Sequence, residues 1–143
     1  FTSAYYSAIL EKVHESGVED LFEFIGRIQN VNEYLKVSDL FVLPTFHEGF
    51  SSSILEAMSS ALPIITSDIP EISEEQITHG KHGILIEPGN AVKLGDAIIS
   101  LFENPSYASM LGLEARKIVE TKFTDEAIGM KYLHLYRKLS GIN

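Results

Sequence analysis

Leu40-Phe41-Val42-Leu43-Pro44-Thr45-Phe46-His47-Glu48-Gly49-Phe50-Ser51-Ser52-Ser53-Ile54-Leu55-Glu56-Ala57-Met58 changes its pattern part-way along, and that change decides the fold. Residues 40–43 are a continuous apolar run closed by Pro44, the mark of a strand buried on both faces of a parallel sheet. Residues 52–60 read as a helix. A strand that passes through a short loop into a helix belongs to a βαβ unit, and open α/β sheets bind ligands at such carboxyl ends. Gly49 permits a tight turn with close backbone approach. The amides of residues 51–53, at the start of the helix, suit a phosphate. Glu48 and Glu56 flank that anion site. A carboxylate is a poor phosphate ligand, so the two suit a different partner. The vicinal hydroxyls of a ribose or hexose offer paired O–H donors to a bidentate acceptor.

The same alternation continues outward. Residues 3–15 carry helical apolar spacing at Tyr6, Ile9, Leu10 and Val13, with Gly17 as the stop. Residues 21–25 read as a short strand ending at Gly26, and residues 31–37 as a short helix. Residues 63–66 and 83–86 are two more apolar strands, the second closed by Glu87-Pro88-Gly89. A helix follows over 91–102. Another starts at Pro105 and runs to about Lys122, and a last one opens at Thr124, a good N-cap, and runs to about Leu139. The fold class is α/β: a Rossmann-like parallel sheet of about four strands flanked by helices. The stripe Tyr132, Leu135, Tyr136 and Leu139 is expected to be core that closes the domain.

Composition excludes several functions. The 143 residues are 45% hydrophobic, enough for one domain with a real core. The net charge of −9, with 20 acidic against 11 basic residues and no Lys/Arg cluster, argues against nucleic acid as a partner. There is no cysteine, hence no disulfide framework and no thiolate metal site. His79 and His82 are three apart with no third ligand, so no metal site is expected. No apolar run approaches the roughly 20 residues that span a bilayer. The expected setting is cytoplasmic, with peripheral membrane attachment left open for a full-length protein. The polar and aromatic first residues do not look like a secretory leader, and a helix under way at Ser3 without an initiator Met reads as a fragment.

The stretch 44–58 resembles the Glu-x7-Glu motif of the retaining group 1 (GT4-type) glycosyltransferases. Four further elements agree in order: Phe24-Ile25-Gly26, Ser38-Asp39-Leu40-Phe41-Val42-Leu43-Pro44, Pro70-Glu71-Ile72, and Gly80-Lys81-His82-Gly83-Ile84-Leu85-Ile86-Glu87-Pro88-Gly89-Asn90. The resemblance implies a partial C-terminal domain of the GT-B fold over residues 1–143, with the acceptor domain and the first strands of this domain outside the chain. It implies transfer of a sugar from a nucleotide-diphosphate sugar to an acceptor hydroxyl, on a glycan or lipid held by the other domain, without metal or cofactor. Glu48 takes the catalytic position near the donor sugar, and Glu56 the ribose hydroxyls. Gly49, Phe50 and Ser51 form the loop whose amides touch sugar or phosphate, with Ser52 further into the helix start. Arg27 and Ile28 form the loop on the nucleobase. The family's diphosphate-binding Arg and Lys belong to an earlier part, so the isolated chain is expected to be inactive and to bind nucleotides weakly.

Competing readings exist. Ser53-x-x-Glu56 also fits a capping box, with Glu56 reaching back to the Ser53 amide. Glu74-Glu75 reads as a solvated pair. Ala61 stands where the family has Gly, so a left-handed helix end there carries strain. An epimerase of the same architecture, or a non-enzymatic receiver-like module, are the alternatives. The second needs an acidic cluster after the first strand and a late Lys, and neither is present. Finally, strand 40–43 is expected either to pair with 21–25, giving the order 21–25, 40–43, 63–66, 84–86, or to pair with a second copy in a homodimer.

Overall fold

A computed structural model describes residues 3–141, in two compact units that divide between Asn30 and Val31. In the first, α1 (Ser3–Glu15) ends at Gly17, which has φ +63°. Val18 N–H reaches Val13 O at 3.5 Å and Gly17 N–H reaches His14 O at 2.9 Å, the paired bonds of a Schellman stop. The segment 21–25 is not a strand. Glu19–Leu21 is a turn of 3-10 helix, and the Phe22 amide that a ladder would need donates to Glu19 O at 3.1 Å. Its apolar side chains join an aromatic cluster instead. Phe24 meets Tyr6 edge-on at 5.6 Å and stacks with Phe22 at 6.2 Å.

The second unit holds the sheet. Its elements are α2 (Val31–Val37), β1 (Phe41–Leu43), α3 (Ser52–Ser59), β2 (Ile64–Ser67), α4 (Pro70–Ser73), β3 (Ile84–Ile86), α5 (Ala91–Glu103), α6 (Pro105–Lys122) and α7 (Asp125–Ser140). The three strands are parallel in the order β1-β2-β3, with Val42 opposite Ile65 and Ile65 opposite Ile84. Strand residues alternate between faces. Phe41, Leu43, Ile64 and Leu85 pack with Leu35, Ile54, Met58, Ile72 and Ile77. Val42, Ile65, Ile84 and Ile86 pack with Leu94, Ile98, Leu101 and Leu111 on the other face. Helices therefore cover both faces, which explains the unbroken apolar runs. The expected fourth strand is absent among the described residues: β1 pairs with β2 alone, and its residues are only half-buried.

α3 closes with Ala61 at φ +56°, the one non-glycine residue with positive φ among those described. Leu62 N–H bonds Ala57 O at 3.2 Å and Ala61 N–H bonds Met58 O at 3.0 Å, a Schellman motif built on alanine. The left-handed conformation costs an alanine about 1–2 kcal/mol. Glycine is free of that strain but loses about 0.5–1 kcal/mol in chain entropy. Ala61→Gly is therefore expected to stabilise the fold by about 0.5–1 kcal/mol. A higher urea midpoint at unchanged slope supports this, and an unchanged or lower midpoint refutes it.

The stripe on α7 is not core. Tyr132, Leu135, Tyr136 and Leu139 are all exposed, and α7 has no buried residue. The helix docks only through its first turns, where Ala127 and Ile128 are half-buried. No helix among the described residues is long and apolar enough to cross a membrane.

His82 is only 5% exposed, and its Nδ1 accepts from Thr78 N–H at 3.3 Å. Burial first, then the charges of Lys81 and Lys122, hold its pKa below the ordinary 6.5, with Glu114 opposing. A second proton needs the lone pair that Thr78 already uses. The unfolded chain takes that proton at about 6.5, before the folded chain does. The contribution is therefore fully present above about pH 6.5 and lost as pH falls through and below it. The other four histidines are exposed. We expect His82→Gln to lose less stability than wild type between about pH 7 and 5 in urea unfolding. Equal losses rule out His82 as the source.

Candidate functional site

The loop from β1 to α3 leaves the carboxyl edge of the sheet, and side-chain bonds shape it. Thr45 Oγ1 donates to His47 O at 2.8 Å and accepts from His47 N–H at 3.3 Å. The exposed Phe46 ring lies over the loop after β3, with two of its carbons 3.0 Å from where a Cβ on Gly89 would stand. The Phe50 ring meets Phe123 at 5.5 Å and is otherwise half open. His47 is exposed.

Behind the loop stands a residue that sequence reasoning missed. Gln76 Oε1 accepts from Ser51 N–H at 3.1 Å, and Gln76 Nε2 donates to Ser51 O at 2.8 Å. Both residues are buried. Ser51 is the N-cap of α3, in extended conformation, but its side chain makes no capping bond. The first bond into the helix is Leu55 N–H to Ser51 O at 3.4 Å. The unbonded amides at this helix start are thus those of Ser52, Ser53 and Ile54. The expected anion site over 51–53 moves one residue along the chain, because the Ser51 amide is already engaged.

The capping box is not formed. With Ser51 as N-cap, the third helical residue is Ile54, and Glu56 lies beyond reach of that role. Glu56 is exposed, Glu48 is half-buried, and neither has an ion-pair partner among the described residues. Gly49 is not required by the chain itself. Its φ is not positive, and no described atom lies within 4 Å of a Cβ placed on it. Beside Gly49 and Phe50 opens a cleft of about 380 Å³ lined also by Pro70, Glu71, Glu74 and Glu75. Glu74 and Glu75 are exposed and border this cleft. Its carboxylates favour hydroxyl or cationic groups over anions. Arg27 is exposed and Ile28 half-buried, both in the N-terminal unit. The ring Nδ1 atoms of His79 and His82 accept from Leu85 N–H and Thr78 N–H. No group of three metal-ligating side chains occurs among the described residues.

A parallel sheet covered on both faces, with a strand-to-helix turn at its carboxyl edge, is the arrangement of an α/β ligand-binding domain. The chain belongs to the glycosyl transferases group 1, whose family model matches residues 3–104. It is 32% identical over 131 residues to the 2-deoxystreptamine N-acetyl-D-glucosaminyltransferase of Niallia circulans, covering 90% of this chain and 33% of that protein. It is 34% identical over 131 residues to the N-acetyl-alpha-D-glucosaminyl L-malate synthase of Bacillus anthracis, covering 92% and 34%. Among solved structures it is similar to a TarM variant of S. aureus in complex with fondaparinux, alpha-GlcNAc-glycerol and UDP. That match has a TM-score of 0.81 and 30% identity, and covers 91% of this chain and 26% of that one. The chain spans about a third of the length of the curated relatives named here.

Proposed function

We propose that this chain is the donor-binding part of a retaining glycosyltransferase that moves a sugar from a nucleotide-diphosphate sugar to an acceptor hydroxyl. The observation that carries the reading is the turn at 48–56. Its backbone is held from behind by Gln76, while among the described residues the Glu48 and Glu56 carboxylates and the Ser52, Ser53 and Ile54 amides have no hydrogen-bond partner. The UDP in the TarM structure supports a nucleotide as a ligand of this fold. Glu48 orients the donor sugar and offsets developing positive charge on it. Glu56 accepts from the ribose hydroxyls. The helix-start amides stabilise the charge that grows on the leaving nucleoside diphosphate as the sugar–phosphate bond breaks. Gly49 and Phe50 border the sugar. The acceptor, a glycan or lipid, is held by a domain outside these residues. The reading places the reaction in the cytoplasm and assigns it no cofactor. The epimerase and receiver-like alternatives find no support among the relatives.

The test is titration of the chain with UDP, GDP and ADP sugars, followed by Gly49→Ala. Because a Cβ at Gly49 meets nothing of the chain, stability should stay within about 0.5 kcal/mol of wild type. If the space over Gly49 belongs to the donor, affinity should fall about tenfold, since a methyl group there separates the loop from its ligand. Unchanged affinity in the alanine variant removes Gly49 from the site. Absence of binding by any of the three sugars at millimolar concentration counts against the whole reading.

A further inference from the structure

We infer that Gln76 is a positioning residue for the donor site, holding the start of α3 so that the Ser52, Ser53 and Ile54 amides point together at one anionic group. This rests on the reading proposed above. The side chain of glutamine carries the same donor and acceptor as a peptide group. Here it pairs with both backbone groups of Ser51, at 3.1 and 2.8 Å, as a neighbouring strand would. Ser51 is 25 residues away in sequence, so the clamp ties the motif loop to the segment after α4 rather than to its own helix. That segment is anchored. Gln76 N–H and Ile77 N–H both donate to Ile72 O at 2.9 Å, and Ile72 and Ile77 are fully buried.

Two consequences follow for the chemistry. A helix start binds an anion well only if its amides are fixed before the ligand arrives. In Ser51-Ser52-Ser53 any of the three could serve as N-cap, and each choice points a different set of amides outward. Gln76 selects Ser51 by engaging both its N–H and its C=O, and so defines which amides stay open. The carboxylate of a Glu could accept from the Ser51 amide but would set a second acceptor against the Ser51 carbonyl. Methionine, of similar length, offers neither bond.

The test uses amide hydrogen exchange and 15N–1H spectra of the full chain, wild type and Gln76→Met, each titrated with UDP, GDP and ADP. In the wild type, the Ser51 amide should exchange at least about tenfold more slowly than the Ser52 and Ser53 amides. A nucleotide that binds should shift Ser52 and Ser53 while the Gln76 side-chain resonances stay in place. In Gln76→Met, Ser51 exchange should rise about tenfold more than that of Ile65 in the core, and nucleotide affinity should fall by a similar factor. A wild type that binds, with a variant that binds equally well, overturns the clamp and leaves the donor site standing. A wild type that binds none of the three overturns the donor site, and the clamp's role with it. If Gln76→Met does not fold, the wild-type spectra decide: Ser51 exchange as fast as that of Ser52 overturns the proposal, and slow exchange with shifts confined to Ser52 and Ser53 upholds it.

Discussion

Gly112→Ala is expected to destabilise the protein by about 3 kcal/mol or more. In an exposed helix the same change would stabilise by about 1 kcal/mol, because alanine is the better helix former. Packing reverses the sign. Gly112 is buried in the middle of α6, where that helix crosses the end of α3. A Cβ there would stand 2.0 Å from Ala61 O, 2.7 Å from Ala61 C and 3.0 Å from Leu62 C. All three are backbone atoms of the Schellman stop, so no side chain can rotate away. Either α6 moves off α3 or the stop opens, and both expose Leu62, Met58 and Ala115 of the core. The check is a urea midpoint, together with the double variant Ala61→Gly/Gly112→Ala. Because the obstacle is the Ala61 carbonyl and not its methyl group, the double variant should regain no more than Ala61→Gly contributes alone. Full recovery would show the obstacle to be the Ala61 side chain.

How much of this was legible in the sequence depended on how local each signal was. Residues 40–43, 63–66 and 83–86 were readable as strands because helices pack on both faces of the sheet and make each run apolar throughout, and β1 to β3 lie within a residue of those bounds. Gly17 was readable as a stop, and Ala61 as a strained position, because a Schellman end is decided by its own few residues. Where the partner lay elsewhere, the pattern was ambiguous. Residues 21–25 have strand composition, but a strand exists only through its ladder, and here the chain turns at Glu19–Leu21 and stacks its rings. The stripe on α7 has the spacing of a buried face, yet spacing states that a helix has an apolar side and not what covers it. The same limit held at the site. The motif from Glu48 to Glu56 was visible as a unit, whereas Gln76 carried no local signal beyond a polar residue between Ile72 and Ile77. The choice of Ser51 over Ser53 as N-cap, which removes the capping box, is made by that distant side chain.

Glu56→Ala provides the sharpest separation of the remaining roles. If Glu56 accepts from the two hydroxyls of a ribose, its loss removes two charge-assisted bonds. Affinity for a nucleotide should then fall about tenfold to a hundredfold. Inorganic phosphate has no ribose and should bind the helix start as before, or slightly more tightly, since a nearby negative charge has gone. Stability should hardly change, because Glu56 is exposed and makes no bond to the Ser53 amide. A capping residue would behave in the opposite way: its removal would lower stability and weaken both ligands together by disturbing the amides. The measurement is a pair of titrations by chemical shift at Ser52 and Ser53, with UDP and with phosphate, beside a urea midpoint for each variant. With wild-type affinity expected near the millimolar range, about −4 kcal/mol, a tenfold loss takes UDP close to the limit of titration while the phosphate titration stays as in the wild type. Parallel loss of both ligands, with a fall in stability, would return Glu56 to a structural role and leave Glu48 as the carboxylate that faces the donor.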